Sequence, residues 1–181
     1  MAYGILFLRL VLGLTMAAHG TQKLFGWFGG PGPSGVRGLM ASLGFRTPFA
    51  VGLLLGTSEL AGGTLLAAGL LTPFAGLLLA VVMLNAISLV HLRNGFWNGD
   101  NGIEFPLLVW AGAVSLAATG GARFSLDRAF GWADNLSGVW WGVGVAVVGA
   151  VVSLLTLTLW RRPEAPAAAS PEAETKLPRA A

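Results

Sequence analysis

This sequence predicts an all-α membrane protein: a four-helix transmembrane bundle plus a fifth C-terminal transmembrane helix. Three observations carry that expectation. Of 181 residues, 55% are hydrophobic and only 10% are charged, whereas a soluble domain is about 25% charged. The mean hydropathy is +0.73, so the chain lacks the polar surface needed to face water all round. The apolar residues also fall into runs close to the roughly 20 residues that a helix needs to cross a bilayer.

The first span runs from about Tyr3 to Phe25. Its opening residues carry no Lys or Arg, and Arg9 interrupts the apolar run, so it does not read as a cleaved signal peptide. The second span is Phe49–Leu71. The break Leu71-Thr72-Pro73 separates it from a third, Pro73 to about Leu92. Proline suits a first helical turn because its missing N–H would be unpaired there anyway. A short fourth span covers Glu104 to Thr119, and the fifth is Val139–Trp160, with Trp140, Trp141 and Trp160 at interface depth. The domain reading follows: residues 1–131 as the bundle, 132–162 as an additional transmembrane helix, and 163–181, rich in Ala, Pro and Glu, as a disordered tail.

With five spans, the first loop, third loop and tail share eight basic residues, among them Lys23, Arg37, Arg46, Arg93, Arg161 and Arg162. The other side has only Arg123 and Arg128. The positive-inside rule then predicts a multi-pass protein of the plasma (inner) membrane, N-terminus outside and C-terminus cytoplasmic.

Net charge is +3, but the basic residues sit singly at the ends of apolar runs, so no nucleic-acid surface is predicted. The absence of cysteine excludes disulfides, thiolate metal sites and dithiol redox chemistry within the chain. Gly30-Pro31-Gly32-Pro33-Ser34-Gly35 matches G-x-G-x-x-G but lacks the βαβ context of a dinucleotide site, so it reads as a turn. Residues 35–45 read as a short helix lying in the interface.

The most informative residue is Glu59, near the middle of the second span. A charge at bilayer depth costs roughly 2.5–3.5 kcal/mol even on a lenient scale, so it faces protein or water and has a partner. Gly52, Gly56, Glu59 and Gly63 fall on one helix face, and small residues spaced by four let a neighbouring helix approach closely. Glu59 is therefore either a structural carboxylate inside a helix contact or a functional group there.

Candidate partners lie in the first span, where Arg9, Met16, Gly20 and Lys23 form one stripe with His19 at its edge. Arg9 has the reach to pair with Glu59 or to snorkel to the other face. His19 is either an interfacial hydrogen-bonder or a proton relay. Asn85, Ser88 and His91 in the third span, Asp100 in the third loop and Glu104 at the start of the fourth helix point to the same side. The catalytic candidates are thus Glu59, His19, Lys23 and Arg9, and the ligand-binding candidates are Asn85, His91 and Glu104. His19, Gln22, Lys23, Glu59, Asn85, His91, Asp100 and Glu104 can all line one pocket open to the basic side. Their spacing fits no standard metal site.

Several of these residues form an ordered pattern: Arg9; His19-Gly20-x-x-Lys23-Leu24; Glu59-Leu60-Ala61-Gly62-Gly63; Gly69-Leu70-Leu71-Thr72-Pro73; Gly102-x-Glu104; and Gly120-Gly121-x-x-x-Ser125-Leu126-Asp127. Over residues 4–131 the chain resembles the DoxX family of small bacterial membrane proteins, also called DoxX/DoxD-like. The resemblance implies a four-helix membrane bundle and a link to redox biology. The DoxD branch is a subunit of a thiosulfate:quinone oxidoreductase, and some DoxX proteins associate with superoxide dismutase and a sulfurtransferase in oxidative-stress defence. The fifth span and tail depart from the family pattern.

The leading functional expectation is a subunit of a membrane-associated oxidoreductase or oxidative-stress defence system, holding no cofactor of its own but binding a quinone-like molecule. Its partners would be the lipid bilayer and redox or stress-defence enzymes. The alternatives are a scaffold anchoring soluble enzymes at the membrane, or a small proton-coupled transporter. Five spans are few for a transporter, an objection that a homo-oligomer would remove.

Overall fold

A computed structural model describes residues 2–162. The expected disordered tail, 163–181, lies outside them. The described residues are helical, with no strand among them and one isolated bridge between Phe45 and Arg161. The helices are α1 (Ala2–Phe25), α2 (Gly32–Ser42), α3 (Pro48–Ala68), α4 (Thr72–Ala86), α5 (Glu104–Thr119), the single turn α6 (Leu126–Ala129) and α7 (Val139–Leu159). α4 runs on as a wide π turn, Ile87–His91, and a tight turn, Leu92–Asn94. Four segments are long and apolar enough to cross a membrane: α1, α3, Thr72–Asn94 and α7. α5, with 16 residues, is shorter.

Helix ends follow local chemistry. Pro48 and Pro73 sit in the first turns of α3 and α4. Gly69 ends α3 at φ +64, a left-handed conformation that glycine adopts without steric cost. Leu71 follows at φ +49, where a leucine is strained. It is held there from across the chain, as described below.

α1 and α3 are antiparallel and nearly touch. Glycines set the distance: a Cβ on Gly13 would meet Ala67 and Gly63, one on Gly20 would meet the backbone of Leu60, and one on Gly56 would meet Leu24. α3 in turn packs on α4, and α4 on α5 and α7. Met16, Leu66, Leu79, Met83 and Leu116 form the main core. α2 is the short helix expected near the interface, somewhat shifted. Its Val36 and Met40 pack with Phe45 and Val51.

Gly63→Ala tests the α1–α3 contact, because its Cβ would collide with the backbone of Ala17 and Gly13. Overpacking of this kind costs roughly 1–3 kcal/mol. Thermal unfolding in detergent should fall accordingly, whereas Gly144→Ala, where a Cβ meets nothing, should leave it unchanged.

Candidate functional site

Glu59 is 2% exposed and is paired with Lys23, whose Nζ donates to Oε2 at 2.6 Å. The glycine register explains the partner. Gly20 lies against Leu60 and Leu24 against Gly56, so the end of α1 that carries Lys23 passes beside Glu59. Arg9 precedes Lys23 by 14 residues of α1, close to four helical turns or about 20 Å at 1.5 Å per residue. Among the first-span partners the sequence leaves open for Glu59, the structure pairs it with Lys23 and not with Arg9, because Arg9 and Glu59 belong to different ends of the α1–α3 contact.

Arg9 occupies a second buried centre at the other end. Its guanidinium donates to the carbonyl oxygens of Gly121, Phe124 (2.6 Å) and Ala67 (3.5 Å). Beside it, fully buried Asp127 accepts from Leu71 N (2.7 Å), Thr72 N (3.0 Å) and Thr72 Oγ1 (2.6 Å). Asp127 thus caps α4, whose preceding residue is a leucine with no capping side chain, and it holds Leu71 in its left-handed conformation. A carboxylate is favoured at a helix N-terminus. Sequence reasoning missed Asp127 as a site residue. The available signal was a helix opening on Thr-Pro with no local cap.

The other candidates divide. His19 Nδ1 lies 3.0 Å from Thr15 O, and its ring stacks on Phe105 at 5.7 Å. His91 Nδ1 lies 2.7 Å from Asn101 O. A carbonyl only accepts, so both rings carry hydrogen on Nδ1, and in the neutral form each keeps a free lone pair on Nε2. Asn85 Oδ1 accepts from Ser153 Oγ of α7 at 3.0 Å. Glu104 Oε2 accepts from Asn98 N at 2.9 Å and so orders the third loop.

One apolar cavity of about 490 Å³ gathers part of this set. α4 lines it with a stripe of Leu77, Val81, Asn85 and Leu89, each joined by its next neighbour, and His91 stands at the end of the π turn. α3 contributes Val51, Leu55 and Ser58, and α7 contributes Val152, Thr156 and Trp160. Lys23 also reaches the wall. The expected single pocket is therefore corrected: Lys23, Asn85 and His91 share this cavity and Glu59 adjoins it through Lys23, while His19, Gln22, Asp100 and Glu104 do not line it.

A clasp closes one end. Arg46 N donates to Trp160 O (3.0 Å), Arg162 N to Gly44 O (2.9 Å) and Arg161 Nε to Leu43 O (2.8 Å). Leu43, Phe45 and Trp160 from the two clasped segments line the cavity. Neither the clasp nor the π turn leaves a periodic signal in the sequence.

Helices long and apolar enough to span a bilayer, with an ion pair buried between two of them and a cavity at its side, define the class: an integral membrane protein. The chain belongs to the DoxX family, whose profile matches residues 4–92. It is 31% identical over 124 residues to the Bacillus subtilis (strain 168) protein named "Putative oxidoreductase CatD", covering 68% of this chain and 84% of that protein. It is 32% identical over 135 residues to the uncharacterized membrane protein Rv3486 of Mycobacterium tuberculosis (strain ATCC 25618 / H37Rv), covering 68% of this chain and 79% of that one. No solved structure gave a match.

Proposed function

We propose that this protein is the membrane-embedded subunit of an oxidoreductase or oxidative-stress defence system. The observation that carries the reading is the Lys23–Glu59 pair, buried between α1 and α3 and reaching an apolar cavity through Lys23. An ion pair at this depth is costly to maintain and is characteristic of charge- or proton-handling sites. In this reading Glu59 and Lys23 handle protons or developing negative charge for a quinone-like molecule in the cavity, and His91 offers a second proton-accepting position. The oxidoreductase name borne by the Bacillus subtilis relative supports the same direction. A partner redox enzyme supplies the electrons. Arg9, by contrast, is assigned a structural role. In the same reading α5 crosses the membrane together with α7, giving five spans in the inner membrane with the N-terminus outside and the C-terminus cytoplasmic.

Glu59→Gln tests this reading. It keeps the side chain's shape and an acceptor for Lys23 but removes the titratable group. The expected result is at least a tenfold loss of quinone-dependent electron transfer, measured with the co-purified partner in proteoliposomes, at unchanged membrane abundance. Full activity in the variant would make Glu59 structural and move the function to the exposed loops, as a scaffold requires.

A further inference from the structure

We propose that a second cavity, between the end of α5 and the start of α7, binds a phosphate group, carried by an anionic phospholipid or free in solution. Its volume is about 420 Å³, and its wall includes Gly121, Ala122, Arg123, Arg128, Asp134 and Ser137. It lies at the Arg9 end of the bundle, away from the Lys23–Glu59 pair, and does not rest on the oxidoreductase reading.

Charge selects the ligand. Two arginines share this wall with one carboxylate. Arg128 Nη1 lies 3.4 Å from Asp134 Oδ1, and the two side chains are 59% and 92% exposed, so the pair is loose and holds little. Arg123 forms no ion pair among the described residues. Its guanidinium lies 5.7 Å from the centre of the Phe124 ring. Asp127, the other acid of this segment, is buried and committed to Leu71 and Thr72. The wall is therefore net cationic, and an arginine fork matches two oxygens of one phosphate.

The Arg9 centre supplies a further donor. Its guanidinium holds the Gly121 carbonyl on the buried side of the loop, and a trans peptide sets the next N–H opposite that carbonyl. Ala122 N–H is thus turned away from Arg9, which is buried and does not line the cavity. Among the described residues neither Ala122 N nor Arg123 N has a backbone acceptor, which leaves both to an oxygen from outside the chain. Ala122 is held at φ +56, where an alanine is strained, and strain of this kind gathers at ligand clamps.

Depth favours a lipid source. α1, α4 and α7 begin at this end of the bundle, and α3 and α5 finish there. Tyr3, Phe124, Trp132 and Trp140 are exposed at the same end, and aromatic side chains of membrane proteins gather at head-group level. The phosphates of a bilayer lie at that level, so a phospholipid reaches the cavity without leaving the membrane.

Native mass spectrometry of the full-length, detergent-solubilised chain tests this. The probes are phosphatidylglycerol, diacylglycerol with the same two chains but no phosphate, and inorganic phosphate. The expected result is a phosphatidylglycerol adduct at least tenfold stronger than that of diacylglycerol. Arg123→Gln combined with Arg128→Gln should weaken it at least tenfold. Asp134→Asn, which frees Arg128 and removes the competing carboxylate, should strengthen it at least twofold. Arg93→Gln, an exposed arginine at the other end of the bundle, should leave it unchanged. Should the double variant fail to fold, Arg123→Glu alone carries the same expectation. Excess inorganic phosphate separates the two sources: an adduct that survives it assigns the site to the lipid head group. Displacement, with a thermal stabilisation by phosphate that the double variant loses, assigns it to the free ion. A phosphatidylglycerol adduct indifferent to both arginines, an equally strong diacylglycerol adduct, or no binding of either phosphate probe overturns the proposal.

Discussion

Arg9→Ala is expected to destabilise the protein by roughly 3–5 kcal/mol, the cost of removing one side of a buried charged network. Arg9 is 1% exposed and gathers three carbonyl oxygens from two separate segments, Ala67 at the end of α3 and Gly121 and Phe124 before α6. Without the guanidinium those carbonyls lose a charged donor that sits buried among them. The Asp127 carboxylate would also lose its nearby positive charge while still holding Leu71 and Thr72. Arg9→Lys should recover only part of the loss, because an ammonium is a point donor on a shorter reach and cannot fork across three acceptors. Unfolding in detergent, followed by the near-ultraviolet signal of the tryptophans, measures both. An Arg9→Ala protein as stable as the parent would remove the structural role assigned here.

The second large effect concerns the Lys23–Glu59 pair and is expected to be strongly non-additive. Lys23→Met strands a carboxylate that is 2% exposed, at a cost of about 3 kcal/mol, the lower end of the usual range for breaking such a pair. The lower end applies because the Lys23 side chain is itself 19% exposed. Adding Glu59→Leu to Lys23→Met removes the stranded charge and should restore most of that stability, giving a coupling energy of about 2 kcal/mol in a double-mutant cycle. The restored double variant should nonetheless be inactive in quinone-dependent electron transfer. That combination, stable but inactive, separates the proposed function from a purely structural pair. Additive costs in the cycle would mean that the two groups do not interact as the 2.6 Å contact indicates.

Much of the fold is legible in the sequence because its signals are local. Apolar runs bounded by Pro48, Pro73 and Gly69 mark α3 and α4 within a few residues. The glycines at 52, 56 and 63 mark the buried face of α3, and the structure buries them with Glu59. Periodicity reports the angle around a helix but not how far two helices have slid past one another. That slide is set by where Gly13 and Gly20 meet Ala67 and Leu60. It is why Arg9 and Lys23, on the same stripe of α1, end at different centres, and why the sequence alone left Arg9 open as a partner for Glu59. Asp127 was hidden for a related reason: it caps a helix that begins 55 residues earlier, and no local pattern encodes that distance. The cavity itself is a product of packing among five helices, α1, α2, α3, α4 and α7, and has no signature in any one of them.

The Arg9 centre also constrains how the protein is made. Two of its acceptors lie 112 and 115 residues further along the chain. At about 5–20 residues per second, ribosomes take roughly 6–20 s to deliver them. During that interval α1 is already available for insertion, with an uncompensated cation about two turns from its N-terminal end. Its long side chain can wait at the nearer head-group layer. Only when the segment around Gly121 and Phe124 emerges can the guanidinium be drawn inside. The centre can therefore close only late in synthesis, and a chain ending before residue 121 lacks two of the three carbonyls that hold Arg9.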